Sequence, residues 1–159
     1  MVPIQSKKIR SRASGNSVKL DHKMLQQLAW FRYQLRRFLR FSEKAARAER
    51  VTPQQYQLLL GISGYTSRPW ATISELAEFL QERHNAVVGL VERAMKRRLV
   101  RKVQGTPDRR FIRVHLTARG VAVLARLAEQ HHQEVAHLAS RMLAASRTRP
   151  RVLRPVKGA

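Results

Sequence analysis

Side chains that can hydrogen-bond to phosphates and to base edges are concentrated in two short segments of the chain, 83–93 and 109–113. Arginine offers a planar set of N–H donors, asparagine can donate and accept at one base edge, and histidine can donate to a phosphate. The sequence has no P-loop, no GxGxxG motif and no obvious nucleophile paired with a base, so an enzyme is not predicted. The candidate contact residues are Arg83, His84, Asn85, Val88, Gly89, Arg93, Arg109, Arg110 and Arg113.

The charge balance makes a polyanion the expected partner. The 159 residues include 32 Lys and Arg against 10 Asp and Glu, a formal net charge of +22. Residues 1–20 and 147–159 each carry five basic groups and no acid, and we predict a disordered basic arm and a disordered basic tail. The arm is either a plain solvated segment or a source of further phosphate contacts, and the sequence leaves both interpretations open.

Composition also excludes several kinds of site. The chain has no cysteine, which excludes disulfides, zinc–thiolate sites and cysteine-based redox sensing. No apolar run approaches the ~20 residues that a membrane span needs, so no membrane partner is expected. The basic N-terminus lacks the apolar core of a signal peptide, and the expected location is the cytoplasm, in association with the nucleoid.

Three histidines, His131, His132 and His137, invite a metal interpretation. Their separations of one, five and six residues do not provide the i, i+4 pair of a helical zinc site. Surface or interface histidines are the preferred interpretation, and no metal or other cofactor is predicted.

Helical apolar spacing alternates with turn formers along the rest of the chain. It predicts a helix over 21–49 that is capped by Asp21 and apolar on two faces, and a helix from Thr52-Pro53 to about residue 63 that Gly64 ends. It also predicts a helix capped by Ser74, a polar turn at 81–85, a helix over 84–99 and a long helix from 118 to about 145. Strands are predicted at 100–104 and 111–116, with 71–73 as a minimal third strand. The predicted fold is mainly α with a small β-hairpin wing: a winged helix-turn-helix between long N- and C-terminal helices.

The hairpin and the helix after it carry the most specific motif. Asp108, Arg110, Val114, Leu116, Thr117 and Gly120 match the pattern D-x-R-x-x-x-V-x-L-T-x-x-G. This is the wing signature of the multiple-antibiotic-resistance regulator (MarR) family, which the chain resembles over roughly 21–145. The segments 74–77 and 88–93 are similar to the two reading helices of that family.

The resemblance implies a domain organisation and a function. A domain at 21–146 would contain a DNA-binding lobe at about 52–117 and dimerisation helices at about 21–49 and 118–145. A homodimer would place one recognition helix in each half-site of a pseudo-palindromic operator on double-stranded DNA, about one helical turn apart, and would act as a repressor. Arg110 would enter the minor groove and Arg93 would contact phosphate.

The resemblance also implies relief by a small aromatic or phenolic effector in a cleft between the dimerisation helices and the reading lobe. The candidate lining residues are Trp30, Tyr33 and Trp70, although a lid over the small core is the favoured role of Trp70. Two departures from the family pattern stand out. Gly89 replaces a long polar reading residue, and Pro150 and Pro155 forbid the regular final helix of the family.

Two other functions remain open at this stage. A nucleoid-type protein would bind DNA through charge alone, with a steep salt dependence and little sequence preference. A protein–protein module could use the same fold without binding DNA, because a fold does not by itself fix a function.

Overall fold

Five helices surround a three-stranded sheet in the part of the chain that the structure describes. That structure is a computed structural model, and it describes residues 21–65, 67–105 and 112–147. The helices are α1 (His22–Ala48), α2 (Pro53–Leu60), α3 (Ile73–Leu80), α4 (His84–Lys96) and α5 (Ala118–Arg147), and the strands are β1 (Trp70–Thr72), β2 (Val100–Gln104) and β3 (Ile112–Leu116). The predicted fold class, mainly α with a small wing, is confirmed. The basic arm at 1–20 and the tail from residue 148 lie outside the described residues.

The first two helices begin at the predicted caps. Asp21 caps α1, and its Oδ1 accepts hydrogen bonds from two first-turn amides at 2.9 and 3.4 Å. Thr52 and Gln55 cap α2 reciprocally, with each side chain accepting from the backbone N–H of the other at 3.1 and 3.0 Å. The helical path then continues as a π-helical turn, Gly61–Tyr65, so Gly64 does not end it as predicted.

The third helix begins earlier than predicted, and the expectation that Ser74 caps it is wrong. Thr72 is the cap: its Oγ1 accepts from the Glu75 N–H at 3.3 Å, and the Glu75 carboxylate accepts from the Thr72 N–H at 2.8 Å. Three residues beyond Ser74 lies Ala77, which has no polar side chain to complete such a reciprocal pair. Because Ile73 already belongs to α3, the third strand is Trp70–Thr72 rather than 71–73.

The sheet has the order β1-β3-β2, and both pairs of strands are antiparallel. Val114 of the central strand lies opposite Ala71 on one side and Lys102 on the other. Ala71 and Val114 are fully buried against the helices, together with Leu58 and Leu76. This apolar layer holds the helices against one face of the sheet.

Three helices end on a left-handed residue that is not glycine. Arg50, Gln81 and Arg98 have φ angles of 57°, 54° and 58°. After each, the next N–H reaches back five residues, in the bonds Val51 to Ala46, Glu82 to Ala77 and Leu99 to Ala94, all 3.0 Å long. This closure satisfies helix-end carbonyls, and it commonly uses glycine because a Cβ is strained in the left-handed region.

The end of α4 and the start of α5 meet at Leu99, whose side chain is fully buried. The Thr117 N–H donates to the Leu99 carbonyl at 3.0 Å, and Thr117 Oγ1 accepts from the Gly120 N–H at 3.1 Å. Gly120 lies so close that a Cβ there would be 2.1 Å from the Leu99 carbonyl oxygen. The spacing Thr117-x-x-Gly120 is therefore a packing motif that fixes α5 on the base of the wing.

The three histidines separate in the structure. His132 and His137 are exposed, whereas His131 is buried where α1, α2 and α5 meet. Its Nδ1 donates to the Leu127 carbonyl at 2.7 Å, and its Nε2 lies 2.9 Å from Ser42 Oγ. Tyr56 and two phenylalanine rings pack around the imidazole. His131 therefore has a structural role inside the chain.

We predict that Gly120→Ala destabilises the protein. The added methyl would collide with a backbone carbonyl that cannot rotate away, so the free energy of unfolding should fall by roughly 1–3 kcal/mol. Urea unfolding followed by circular dichroism, at one fixed protein concentration, measures the change. Gly64→Ala is the matched control, because nothing lies within 4 Å of the added Cβ. Equal stability of the two variants would contradict the role given to Gly120.

Candidate nucleic-acid interface

The turn between α3 and α4 presents the N-terminal end of α4 outward. Gln81 turns the chain in the left-handed conformation, and Arg83 precedes α4 in an extended conformation. Arg83, His84 and Asn85 are all exposed. On the opposite side of α4, Val87 and Val91 are buried in the core. The helix is thus held by one face and offers its first turn to the exterior.

The first turn of α4 also lacks the acidic or hydroxyl cap that the other helices have. Arg83 stands at the cap position and makes no side-chain capping bond. The amides of a first helical turn point along the axis and carry the positive end of the helix dipole. Three exposed side chains that can donate hydrogen bonds surround that end, so the site suits a phosphate group.

Farther along α4, Val88 and Gly89 are half-buried and Arg93 is exposed. The Arg93 guanidinium folds back over Gly89, where an added Cβ would lie 3.3 Å from its Nη1 atom. The glycine that departs from the family pattern therefore leaves room for an arginine one turn later. Sequence reasoning missed this pairing, although the i, i+4 spacing of Gly89 and Arg93 is a signal that could have revealed it.

A cavity of about 220 Å³ lies beside this surface, between α2, α4 and the turn before α4. Arg93 and Leu90 contribute to its wall from α4, and Pro53 and Gln57 from α2. None of the predicted effector residues Trp30, Tyr33 and Trp70 lines it.

One ion pair connects the wing to α4, and another connects the segment before β1 to the cap of α3. Lys102 on β2 forms an ion pair with Glu92 on α4. Arg68 forms an ion pair with Glu75, the residue that closes the Thr72 capping box. Burial raises the pKa of Glu75, but hydrogen bonds from Thr72 and the charge of Arg68 outweigh it, so the net effect is a lowered pKa and a stable carboxylate. These two ion pairs therefore help to hold α3, α4 and the sheet together.

The outer face of the sheet is basic and aromatic. The Arg68 and Arg113 guanidinium groups lie 3.8 and 4.5 Å from the centre of the Trp70 ring. Burial, together with the charges of Arg101 and Arg113, lowers the pKa of His115, so this imidazole is neutral at pH 7. Arg113 is thus positioned by stacking on Trp70. Arg109 and Arg110 lie outside the described residues.

The predicted effector residues occupy two places. Trp30 and Tyr33 stack on α1 with ring centres 5.7 Å apart, whereas Trp70 lies on β1 beneath the two arginines. Among the described residues, three buried side-chain atoms have no hydrogen-bond partner: Trp30 Nε1, Gln34 Oε1 and Arg141 Nε. Sequence reasoning did not single out Gln34 or Arg141.

The described residues offer neither a metal-binding cluster nor a membrane-spanning helix. In the described part of the chain, no three histidine, aspartate or glutamate side chains come together to hold a metal ion. Of the described helices, none has both the length and the apolar character needed to cross a bilayer.

The fold recurs among solved structures. AbsC, a MarR family transcriptional regulator from Streptomyces coelicolor, has a TM-score of 0.61 at 23% identity over 70% of this chain and 76% of its own. A mutant of MepR from S. aureus, bound to an oligodeoxyribonucleotide, has a TM-score of 0.58 at 17% identity over 71% and 81%. RV1404 from Mycobacterium tuberculosis has a TM-score of 0.61 at 20% identity, over 77% of this chain and 82% of its own. No protein-family model and no curated protein matches the sequence. The chain has the winged-helix fold of MarR-type regulators.

We predict that Gly89→Ala raises the free energy of unfolding but lowers the affinity for DNA. Alanine is the better helix former by about 1 kcal/mol, so the free energy of unfolding should rise. The methyl displaces the Arg93 guanidinium, so the affinity for DNA should fall by roughly 1–2 kcal/mol if that group contacts a phosphate. Fluorescence anisotropy with labelled duplex measures the affinity, and urea unfolding measures the stability.

Arg93→Ala and the double variant complete a mutant cycle. If the displaced arginine is the cause, Gly89→Ala has little further effect once Arg93 is alanine. An undiminished affinity loss in the double variant would instead assign the effect to the methyl group itself.

Proposed function

We propose that this protein is a sequence-specific DNA-binding transcriptional regulator that acts as a homodimer on a pseudo-palindromic operator. The observation that carries the proposal is the exposed first turn of α4, where Arg83, His84 and Asn85 surround uncapped amides. An asparagine can read adenine through two hydrogen bonds, and the arginine and histidine can hold phosphates beside it. A protein of the same fold is bound to an oligodeoxyribonucleotide, which supports this use of the surface.

The wing supplies the second contact in this proposal. Arg109 and Arg110 at the hairpin reach the minor groove, and Arg113 contacts the adjacent phosphates. The Glu92–Lys102 ion pair supports the arrangement because it couples the wing to the reading helix.

The proposed dimer uses α1 and α5. Large apolar side chains remain exposed on α1, among them Leu28 at 53% and Phe31 at 47%, and Leu143 on α5 is 63% exposed. Large exposed apolar side chains on two helices that already pack together are typical of a protein–protein interface. A second copy of the chain covers it symmetrically and sets the distance between the two reading helices.

Repression follows from the same geometry. A dimer seated on an operator within a promoter would block access to that promoter. The alternative, a charge-driven nucleoid-type protein without sequence preference, is favoured by one observation, the net charge of +22.

Selection of binding sites from random duplex DNA tests the proposal. We expect a two-fold symmetric motif that the protein prefers over a scrambled duplex by ~10³-fold or more. Asn85→Ala should cost about 1–3 kcal/mol and relax the preference at one adenine in each half-site. Gln130→Ala, an exposed amide on α5, is the matched control and should change nothing. No enriched motif, with all sequences losing affinity equally as salt rises, would establish the nucleoid-type alternative.

We further propose that a small aromatic or phenolic effector binds beside Trp30 and Tyr33 on α1. Trp30 Nε1 and Arg141 Nε are buried donors, and Gln34 Oε1 is a buried acceptor, without partners among the described residues. A phenolic acid has the matching groups, because its carboxylate accepts hydrogen bonds and its hydroxyl donates one. The stacked pair of rings offers the aromatic contact. Trp70 stacks with Arg68 and Arg113 on the sheet, so the proposed effector site does not include it.

Fluorescence of Trp30 tests the effector. In Trp70→Phe, Trp30 is the single tryptophan of the chain. We expect 4-hydroxybenzoate to quench it saturably and to weaken binding to the operator through a coupling of about 1–3 kcal/mol. Gln34→Leu should reduce the quenching, whereas Gln130→Leu should not. Quenching without any change in operator affinity would refute an effector role for the site.

A further inference from the structure

The exposed surface of α1 includes a basic stripe that the proposed function does not use. Arg32, Arg36, Arg40 and Lys44 follow at every fourth residue, and Arg47 continues the same side of the helix; we call these five residues the α1 stripe. All five side chains are exposed. Within the described ranges none of them forms an ion pair. The only acid in α1 is Glu43, against seven Lys and Arg.

The stripe is separate from the surfaces that hold the fold together. With 3.6 residues per turn, Arg36 and Arg40 lie on the side of α1 opposite to Gln34 and Ala45, which are buried. Cations four residues apart on a helix repel each other, so the stripe does not stabilise α1. Arg47 lies in the last turn of α1, where the helix dipole favours a cation, but neither core packing nor helix stability explains the placement of the other four.

The stripe is also distant from the reading end of α4. Arg50, just after α1, accepts a hydrogen bond through its carbonyl from Arg97, just after α4. With 13 residues, α4 is about 20 Å long, so its reading end lies that far from this contact. From the same junction α1 runs along α5, where Ser42 meets His131. A duplex read by the first turn of α4 therefore leaves the α1 stripe open.

Charge and spacing indicate what the stripe binds. A rise of 1.5 Å per residue places successive cations about 6 Å apart and gives the stripe a length of about 22 Å, a pattern that suits a linear polyanion. A second copy of this chain that placed its own stripe against this one would bring like charges together, so the stripe does not suit a symmetric contact with itself. An anionic membrane would also need the neighbouring apolar face of α1, which the proposed dimer covers.

We propose that the α1 stripe binds the phosphate backbone of a second DNA duplex, so that one dimer holds two duplexes at once. The inference rests on the proposed function for the first duplex. In this proposal the second contact is made to phosphates alone and is therefore independent of sequence.

A bridging experiment with the full chain tests this inference. An immobilised duplex carries the selected motif, or a random sequence if no motif is found, and the retention of a labelled, unrelated duplex is measured with increasing protein. Arg36→Gln with Arg40→Gln should reduce the retained duplex by about tenfold or more, since two phosphate contacts are lost. The affinity for the immobilised duplex alone should stay unchanged.

The matched control removes two exposed arginines elsewhere, Arg98→Gln with Arg119→Gln, and leaves the same net charge. Full bridging by the control, together with lost bridging by the stripe variant, would establish that the α1 stripe binds the second duplex. Equal loss in both variants, or no bridging by the native chain, overturns it. Retention of phosphatidylglycerol vesicles in place of the second duplex would overturn it in favour of a membrane surface.

The two proposals fail separately. If the immobilised motif is not preferred over a scrambled duplex but the stripe variant alone loses bridging, sequence-specific regulation is refuted and the second contact stands. If the motif is preferred and bridging is absent, only the second contact is refuted.

Discussion

The close approach of Gly120 to the Leu99 carbonyl is the constraint on which the architecture depends. Leu99 closes the end of α4, Val100 begins the wing, and Thr117 caps α5, the long helix that packs on α1. The three segments meet at this junction, and they can pack this closely because Gly120 has no Cβ. If the junction were looser, the reading helix, the wing and the long helices would each be held only by their own apolar contacts. The junction therefore transmits any change in α5 directly to the base of the wing.

Much of this arrangement could be predicted from the sequence because it is local. Caps at Asp21 and Thr52 and apolar periodicity act over a few residues, and α1 and α2 begin where they were expected. The cap of α3 was misplaced because Ser74 and Thr72 are both good caps, and only the reciprocal bond with Glu75 decides between them. The wing motif identified the fold because it combines several residues at fixed spacing.

What the sequence did not reveal depends on contacts between distant segments. Periodicity places His131 on the apolar face of α5, four residues after the buried Leu127, but its contact partners Ser42 and Tyr56 lie on two other helices and could not be predicted. The stacking of Arg68 and Arg113 on Trp70 depends on the strand register, which pairs Trp70 with His115. The unpartnered atoms of Gln34 and Arg141 likewise become visible only once α1 and α5 are packed. Side-chain identity alone cannot report such environments.

The left-handed residue between α3 and α4 has a mechanical consequence. Gln81 carries a side chain where glycine would be free, and a Cβ confines the backbone there to a narrow range of angles. The joint between the two helices is therefore stiff, with little freedom to swing on its own. The effector proposed for α1 would therefore have to move α3 and α4 together, and the N-terminal end of α4 would move with them.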